Sequence, residues 1–310
     1  MGDAAIAMNP EIAAYLRQLD TVPGWFSPLD FRIFVEIDRI QREDGVIGDL
    51  FEIGAFYGKS AILLAYMARL SGSRLVVCDL FENTELADDE NLVEFRTWYS
   101  DLSQQNFIDN FLRFHDELPT LLVGLSTDID ARSMASRFRF IHIDGSHKYD
   151  IVRHDIHTSH TILGQGGIVA FDDISTPHNP GSALAVWQEV LGGHFAPLCM
   201  TEAKLYGTWD IPNAQSWQVK LDRWAKDTPD VIAEIHTLAG WPVRRFTMEP
   251  VPATTVGAAE EPHESSSRPT SQRIVPAENR DFHQRARRMA HLLLPPIVVS
   301  AYRRLRLRYL

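Results

Sequence analysis

The chain is poor in cysteine, with Cys78 and Cys199 its only two in 310 residues. Cys78 falls in an apolar run of core character, so no disulfide framework is expected and a reducing cytoplasm is the default compartment. Long apolar runs are missing as well. No stretch reaches the ~18 uninterrupted apolar residues of a membrane span. Met1 to Pro10 lacks the basic segment and apolar core of a signal peptide, so none is expected. Two phosphate-binding signatures are also absent. Gly54 is followed by Ala55, Phe56 and Tyr57, which breaks G-x-G-x-x-G. Gly54 and Gly58 stand too close for a P-loop, although Lys59-Ser60 imitates its end. A hydrophobic content of 45% is nonetheless enough to fill a core.

What is present centres on Asp49-Leu50-Phe51-Glu52-Ile53-Gly54-Ala55-Phe56-Tyr57-Gly58-Lys59-Ser60. Asp49 to Ile53 is mostly apolar and predicts a buried strand. Gly54 and Gly58 permit a turn that side chains would block. Ser60 opens the apolar run Ala61 to Ala68, helical by length and composition. A strand feeding such a turn offers helix N–H groups and close backbone access to a nucleotide-like ligand. Four more apolar runs end in polar groups: Leu75 to Asp79, Leu121 to Asp128, Phe138 to Asp144 and Gly167 to Asp173. Helices are expected between them, most clearly over Ser60 to Arg69 and Tyr149 to Leu163. This alternation predicts a doubly wound, mostly parallel α/β sheet with helices on both faces and ligands at the carboxyl ends of its strands. Asp79, at the tip of the second strand, suits a ribose diol.

The ordered set E-I-G…G-K-S from Glu52, the acid Asp79, G-L-S from Gly124, I-D-G-S-H from Ile143 and G-G-I-V-A-F-D-D from Gly166 resembles a known superfamily. It is similar to the class I S-adenosylmethionine (SAM) O-methyltransferases over roughly 48–188. The first motif resembles the metal-dependent, catechol-type variant. The D-G-x-H step followed by G-G and D-D is similar to the branch acting on sugars. The resemblance implies a Rossmann-like fold with SAM as cofactor and Mg²⁺, or another divalent cation, as metal. It implies that Glu52, Gly54, Tyr57, Gly58 and Ser60 surround the methionine part of the cofactor. Asp79 would then meet the ribose, and Ser126 and Thr127 the adenine. Asp144 would serve both the cofactor pocket and the metal.

The chemistry follows from the residue types. A sugar hydroxyl holds its proton tightly, and a divalent cation on that oxygen lowers its pKa. A hard ion prefers oxygen ligands. Asp144, Asp172 and Asp173 supply them from the ends of two strands expected to be neighbours. His147, three residues beyond Asp144, is placed to take the substrate proton, so His147 and Asp144 are the catalytic candidates. The catechol enzymes have lysine where His147 falls and asparagine where Asp173 falls. Plainer roles stand beside these: Asp172-Asp173 as a turn and helix start, His147 as a local cap, and Tyr57 as a packing aromatic. His178, in the loop after the acidic pair, is a second candidate base. Trp187, Trp209, Trp217 and Trp224 are candidates for a sugar platform, though packing is the commoner fate of a Trp.

The expected organisation has four parts: a helical lead-in over 1–48, the methyltransferase domain over 49–248, a disordered linker over 249–276 and a basic amphipathic tail over 277–310. In the lead-in, Ser27-Pro28-Leu29-Asp30 is a helix start. The linker is rich in Pro, Ala, Thr, Ser and Glu. Residues 263–310 hold ten Arg against three acids in a chain of net charge −11, so the remainder carries −18. Such a tail suits an anionic membrane surface at the inner face of the membrane, the acidic body or a protein partner. No nucleic-acid motif accompanies it. A homo-oligomer stays open. The expected function is SAM-dependent, Mg²⁺-assisted methylation of a hydroxyl on a carbohydrate or glycosylated metabolite. A phenol or catechol acceptor is the second enzyme reading. A non-catalytic SAM-binding scaffold that works through its tail is the third.

Overall fold

Residues 8–83, 101–175 and 180–249 are described by the computed structural model. The expected tail, nearly all of the linker and His178 lie outside them. The strands are β1 (Asp49–Ile53), β2 (Leu75–Asp79), β3 (Thr120–Val123), β4 (Phe138–Ile143), β5 (Leu163–Phe171), β6 (Ala196–Met200), β7 (Leu205–Thr208), β8 (Val231–Leu238) and β9 (Trp241–Met248). They form one nine-stranded sheet in the order β3-β2-β1-β4-β5-β7-β6-β9-β8. The first five in that order are mutually parallel. Strand β7 runs antiparallel to both β5 and β6, and β8 runs antiparallel to β9. The doubly wound, mostly parallel expectation is therefore borne out, with the order reversing between β1 and β4, where open α/β sheets bind ligands.

Strand alternation sorts the core into two layers. Leu50, Val77, Phe140, Ile168 and Tyr206 face one layer. Against it pack α1 (Pro10–Gln18), α2 (Pro28–Glu43), α3 (Lys59–Ser71), α4 (Gln104–Phe111) and α7 (Ala214–Lys226). Phe51, Ile53, Ile141, Val169 and Phe171 face the other. That side is covered by α5 (Tyr149–Ile162) and α6 (Pro180–Leu191).

Helix α2 starts where the spacing places it. Ser27 Oγ accepts the Asp30 N–H at 3.0 Å, and Pro28 occupies the first turn, where no amide donor is needed. The helix is fixed to β4 by Arg139, which is 1% exposed. Its guanidinium donates to Asp38 Oδ1 and Gln41 Oε1, each at 2.7 Å. Gln41 Nε2 returns a bond to the Arg139 carbonyl at 2.6 Å. Breaking such a buried pair on one side costs about 3–5 kcal/mol, because the other charge stays buried. The lead-in also reaches the glycine turn. Tyr15 donates its hydroxyl proton to the Lys59 carbonyl at 2.6 Å, and Lys59 Nζ donates to the Gly24 carbonyl at 3.0 Å.

The polar end of the third run forms a turn of its own. Strand β3 stops at Val123, Gly124 takes φ +152°, and Ser126–Asp128 forms a short 3₁₀ turn. The four tryptophans pack rather than form one platform. Trp217 is buried, Trp224 lies edge-on to Phe246 at 5.5 Å, Trp209 lies against Phe195 at 5.2 Å, and Trp187 packs partly buried against the layer of α5 and α6. Among the described residues no helix is long and apolar enough to cross a membrane.

Candidate active site

The carboxyl ends of β1, β2, β4 and β5 meet at one edge of the sheet. At β1, Gly54 has φ +81°, and a Cβ built there would lie 2.0 Å from the Asp144 carbonyl oxygen. This glycine is demanded by the close approach of the β1 and β4 ends, whatever binds above it. Gly58 follows at φ +90° as the N-cap of α3, with Phe107 beneath it. Asp79 holds the turn in shape. Its Oδ2 accepts the N–H groups of Ala55 at 2.6 Å and Phe56 at 3.0 Å, and its Oδ1 accepts that of Phe81 at 2.6 Å. Burial raises the Asp79 pKa, although these three bonds pull it down. Tyr57 is half-buried, edge-on to Phe56 at 4.5 Å. Phe56 in turn stacks on the exposed Trp25 at 5.5 Å.

Glu52 and Ser60 are buried beneath the turn. Burial pushes the Glu52 carboxyl up to about 8, against the lowering influence of Ser60 and Lys204. Its Oε1 lies 2.8 Å from His142 Nδ1. Its Oε2 is buried with no hydrogen-bond partner among the described residues. Ser126 and Thr127 sit in the 3₁₀ turn after β3, beside α5.

Asp144, His147, Asp172 and Asp173 line one cleft together with Gly145 and Ser182. Two triads have ligand atoms within 4.8 Å of one another: His142, Asp144 and Asp172, and Asp144, His147 and Asp173. Asp144 belongs to both, so the three expected carboxylate ligands are split between two overlapping clusters. Burial and the neighbouring Asp172 push Asp144 well above the usual carboxylate range, opposed by Lys204. His147 Nε2 is 2.6 Å from Asp173 Oδ2. Asp173 has φ +56°, a left-handed conformation that Asp tolerates better than most residues and that aims its side chain back toward His147. An imidazole held by a carboxylate has its orientation set and its protonated form stabilised.

Two groups here carried no expectation. His142 lies inside β4, and Lys204 lies just before β7. Lys204 Nζ donates to Asp172 Oδ2 and stands 3.1 Å from His142 Nε2. Burial alone would lower the Lys204 pKa, but Asp172 and Asp144 raise it above its ordinary value. Burial, reinforced by Lys204, lowers His142 well below its own. The lysine is therefore charged and the imidazole neutral. A titratable residue inside an apolar strand run was a usable signal for His142. Lys204 had none, because its partners come from distant strands. A wider groove of about 560 Å³ lies between α6 and the β8–β9 hairpin, but it is lined mainly by apolar groups such as Trp187, Leu191 and Met200. Size alone does not make it the site.

Three carboxylates against one ammonium leave two negative charges in the cleft when all are ionised. A divalent cation matches that charge and would relieve the repulsion that raises Asp144, so these residues fit such an ion. The orphaned Glu52 oxygen beneath the turn fits a ligand that carries an ammonium group.

Comparison with known proteins agrees with the fold. Residues 51–174 match a family model described as a methyltransferase domain. None of the curated proteins matches the sequence. Among solved structures, the O-methyltransferase NovP superposes with a TM-score of 0.50 at 16% identity, over 64% of this chain and 96% of that one. CalS11, a TDP-rhamnose 3'-O-methyltransferase of calicheamicin biosynthesis, gives 0.40 at 19% identity, over 66% and 96%. An O-methyltransferase from Bacillus cereus gives 0.35 at 16%, over 79% and 91%. The family match falls on β1 to β5, the part of the sheet that carries the glycine turn and the acidic cleft.

Proposed function

We propose that this protein transfers the SAM methyl group to a hydroxyl oxygen with the help of a divalent cation, Mg²⁺ in the first instance. The acceptor proposed is a carbohydrate or glycosylated metabolite, because Asp144-Gly145-Ser146-His147 and Asp172-Asp173 resemble the sugar-directed branch. One observation carries the reading: the glycine turn and the acidic cleft share a wall at Gly54 and Asp144. A cofactor on the turn would therefore lie beside an acceptor in the cleft.

The protein's part is to bind, orient and move one proton. Asp79 fixes the turn through three backbone N–H groups. Glu52 Oε2 would receive the ammonium of the methionine moiety. Asp144, Asp172 and Asp173 would hold the cation, whose contribution is to make a neighbouring hydroxyl more acidic. His147, oriented by Asp173, would take that hydroxyl's proton as the oxygen attacks the methyl carbon. The basic segment 277–310 lies outside the described residues; its charge supports attachment to an anionic membrane surface or a partner.

The test is incubation with methyl-labelled SAM and a panel of sugars and phenols, with and without EDTA. Label on a sugar hydroxyl, lost with EDTA, supports the reading. Label on phenols alone moves the acceptor class, and full activity with EDTA removes the cation.

A further inference from the structure

Behind the acidic cleft lies a row of polar groups sealed from solvent. Glu52 and His142 are 0% exposed and Lys204 is 1% exposed. Phe26 and Phe34 wall the row, with Lys204 Nζ 5.6 Å from the Phe26 ring centroid and the His142 ring 5.2 Å from that of Phe34. An ammonium has three donors and no acceptor. His142 Nε2 must therefore accept from Lys204. A neutral imidazole that accepts at one nitrogen donates at the other. His142 Nδ1–H thus goes to Glu52 Oε1. Lys204 fixes the direction of every bond in the row, which runs from the cation cleft at Asp172 to the floor of the glycine turn at Glu52.

We propose that Lys204 is a positioning residue that couples the cation cleft to the cofactor turn. Its ammonium neutralises Asp172, and through His142 it commits Glu52 Oε1 as an acceptor and leaves Oε2, which carries the Glu52 proton below about pH 8, to receive the ligand's ammonium once that proton is lost. The proposal rests on the functional reading above. Two opposite effects follow from it. Lys204 weakens the cleft for a divalent cation, because one carboxylate already has a positive partner. It strengthens the turn for a ligand with an α-ammonium, because it orders the acceptor that receives it. A lysine that merely stabilised the fold would weaken both when removed.

The test is calorimetry of the purified full-length chain with Mn²⁺ and, separately, with S-adenosylhomocysteine. Lys204→Met should bind Mn²⁺ about tenfold more tightly and S-adenosylhomocysteine about tenfold more weakly, the scale of one nearby charge in a partly shielded site. His142→Phe cuts the row but keeps the Lys204–Asp172 pair, so it should weaken S-adenosylhomocysteine by a similar factor. Should Lys204→Met fail to fold, the double variant Lys204→Met, Asp172→Asn removes both members of the pair, which is far better tolerated than removing one. It should still bind S-adenosylhomocysteine weakly. Wild-type S-adenosylhomocysteine affinity in either lysine variant, or Mn²⁺ affinity unchanged in Lys204→Met, overturns the coupling. A wild-type chain that binds no S-adenosylhomocysteine overturns the functional reading and the coupling with it.

Discussion

Asp155 on α5 offers a direct measure of what a buried charge costs this fold. Its side chain is 0% exposed, with His154 Nδ1 3.9 Å from Oδ1 and the Ser126 hydroxyl as a hydrogen-bonding neighbour. Burial pushes its pKa up to about 7, opposed by the Ser126 hydroxyl nearby. In the unfolded chain the same group ionises near 3.9. Between those values the native state binds more protons than the unfolded state. Stability is then full at low pH and falls as pH rises toward the folded pKa. A shift of about three units at 1.36 kcal/mol each sets a ceiling of about 4 kcal/mol.

Asp155→Asn removes that titration. Its amide brings an unpaired N–H₂, which costs about 1–3 kcal/mol, but at every pH. The variant should therefore gain on wild type by about 2–3 kcal/mol between about pH 5 and pH 8, whatever the sign of the difference at the acid end. Urea unfolding followed by tryptophan fluorescence at the two pH values measures this. Glu52 titrates in both proteins, so the comparison cancels it. A stability difference that stays constant over that range would refute the reasoning and mean that Asp155 is ionised throughout or hydrated.

Four further outcomes are expected. His147→Ala should lower kcat by roughly 10²–10⁴, with S-adenosylhomocysteine affinity by calorimetry little changed. EDTA should abolish turnover and Mg²⁺ restore it in wild type, while Asp172→Ala should resist rescue over a Mg²⁺ titration. Asp79→Asn replaces an acceptor of one of its three N–H groups by a donor, so denaturant melts should show a loss of about 1.5–3 kcal/mol and calorimetry a weaker cofactor analogue. Gly54→Ala should fail to give a soluble native chain, because its Cβ would meet the Asp144 carbonyl at 2.0 Å; a folded variant with normal circular dichroism would contradict this.

Much of the sheet was legible because each of its parallel strands is a short apolar run with a polar end. Asp49–Ile53 and Leu75–Asp79 coincide with their expected ranges. Helix α2 was legible from its cap. Strands β6, β8 and β9 were not, because their residues argue against strands when read alone. Pro197 lies in β6, at a register irregularity. Strand β9 carries Pro242, Arg244 and Arg245, and only tertiary partners make that acceptable. Arg244 donates to both oxygens of Asp222 on α7 at 2.9 and 2.8 Å, and Arg245 reaches Glu234 across the hairpin at 2.9 Å. In the candidate site, the motif order brought Asp144, His147, Asp172 and Asp173 into one cleft. It did not show that Asp144 would be shared between two triads, because that depends on where the Asp173 backbone turns left-handed.

The buried row from Lys204 to Glu52 depends on a feature that no motif encodes. Strand β4 pairs with β1 through a register irregularity: Asp49 faces Phe138, but Leu50 faces Phe140. The extra residue is Arg139, whose side chain turns toward Asp38 on α2. Downstream of it Glu52 faces His142, and the two side chains meet on the same side of the sheet. Were Arg139 paired regularly in the ladder instead, Glu52 would face Ile141. The rest of β4 would exchange faces, since the side-chain period of a strand is two. His142 would then point into the layer of α5 and α6, away from Lys204. The same irregularity that fixes α2 to the sheet thus sets the link between the two halves of the candidate site. Deleting Arg139 would remove the irregularity and keep Glu52 opposite His142, but it would cost the tie between β4 and α2.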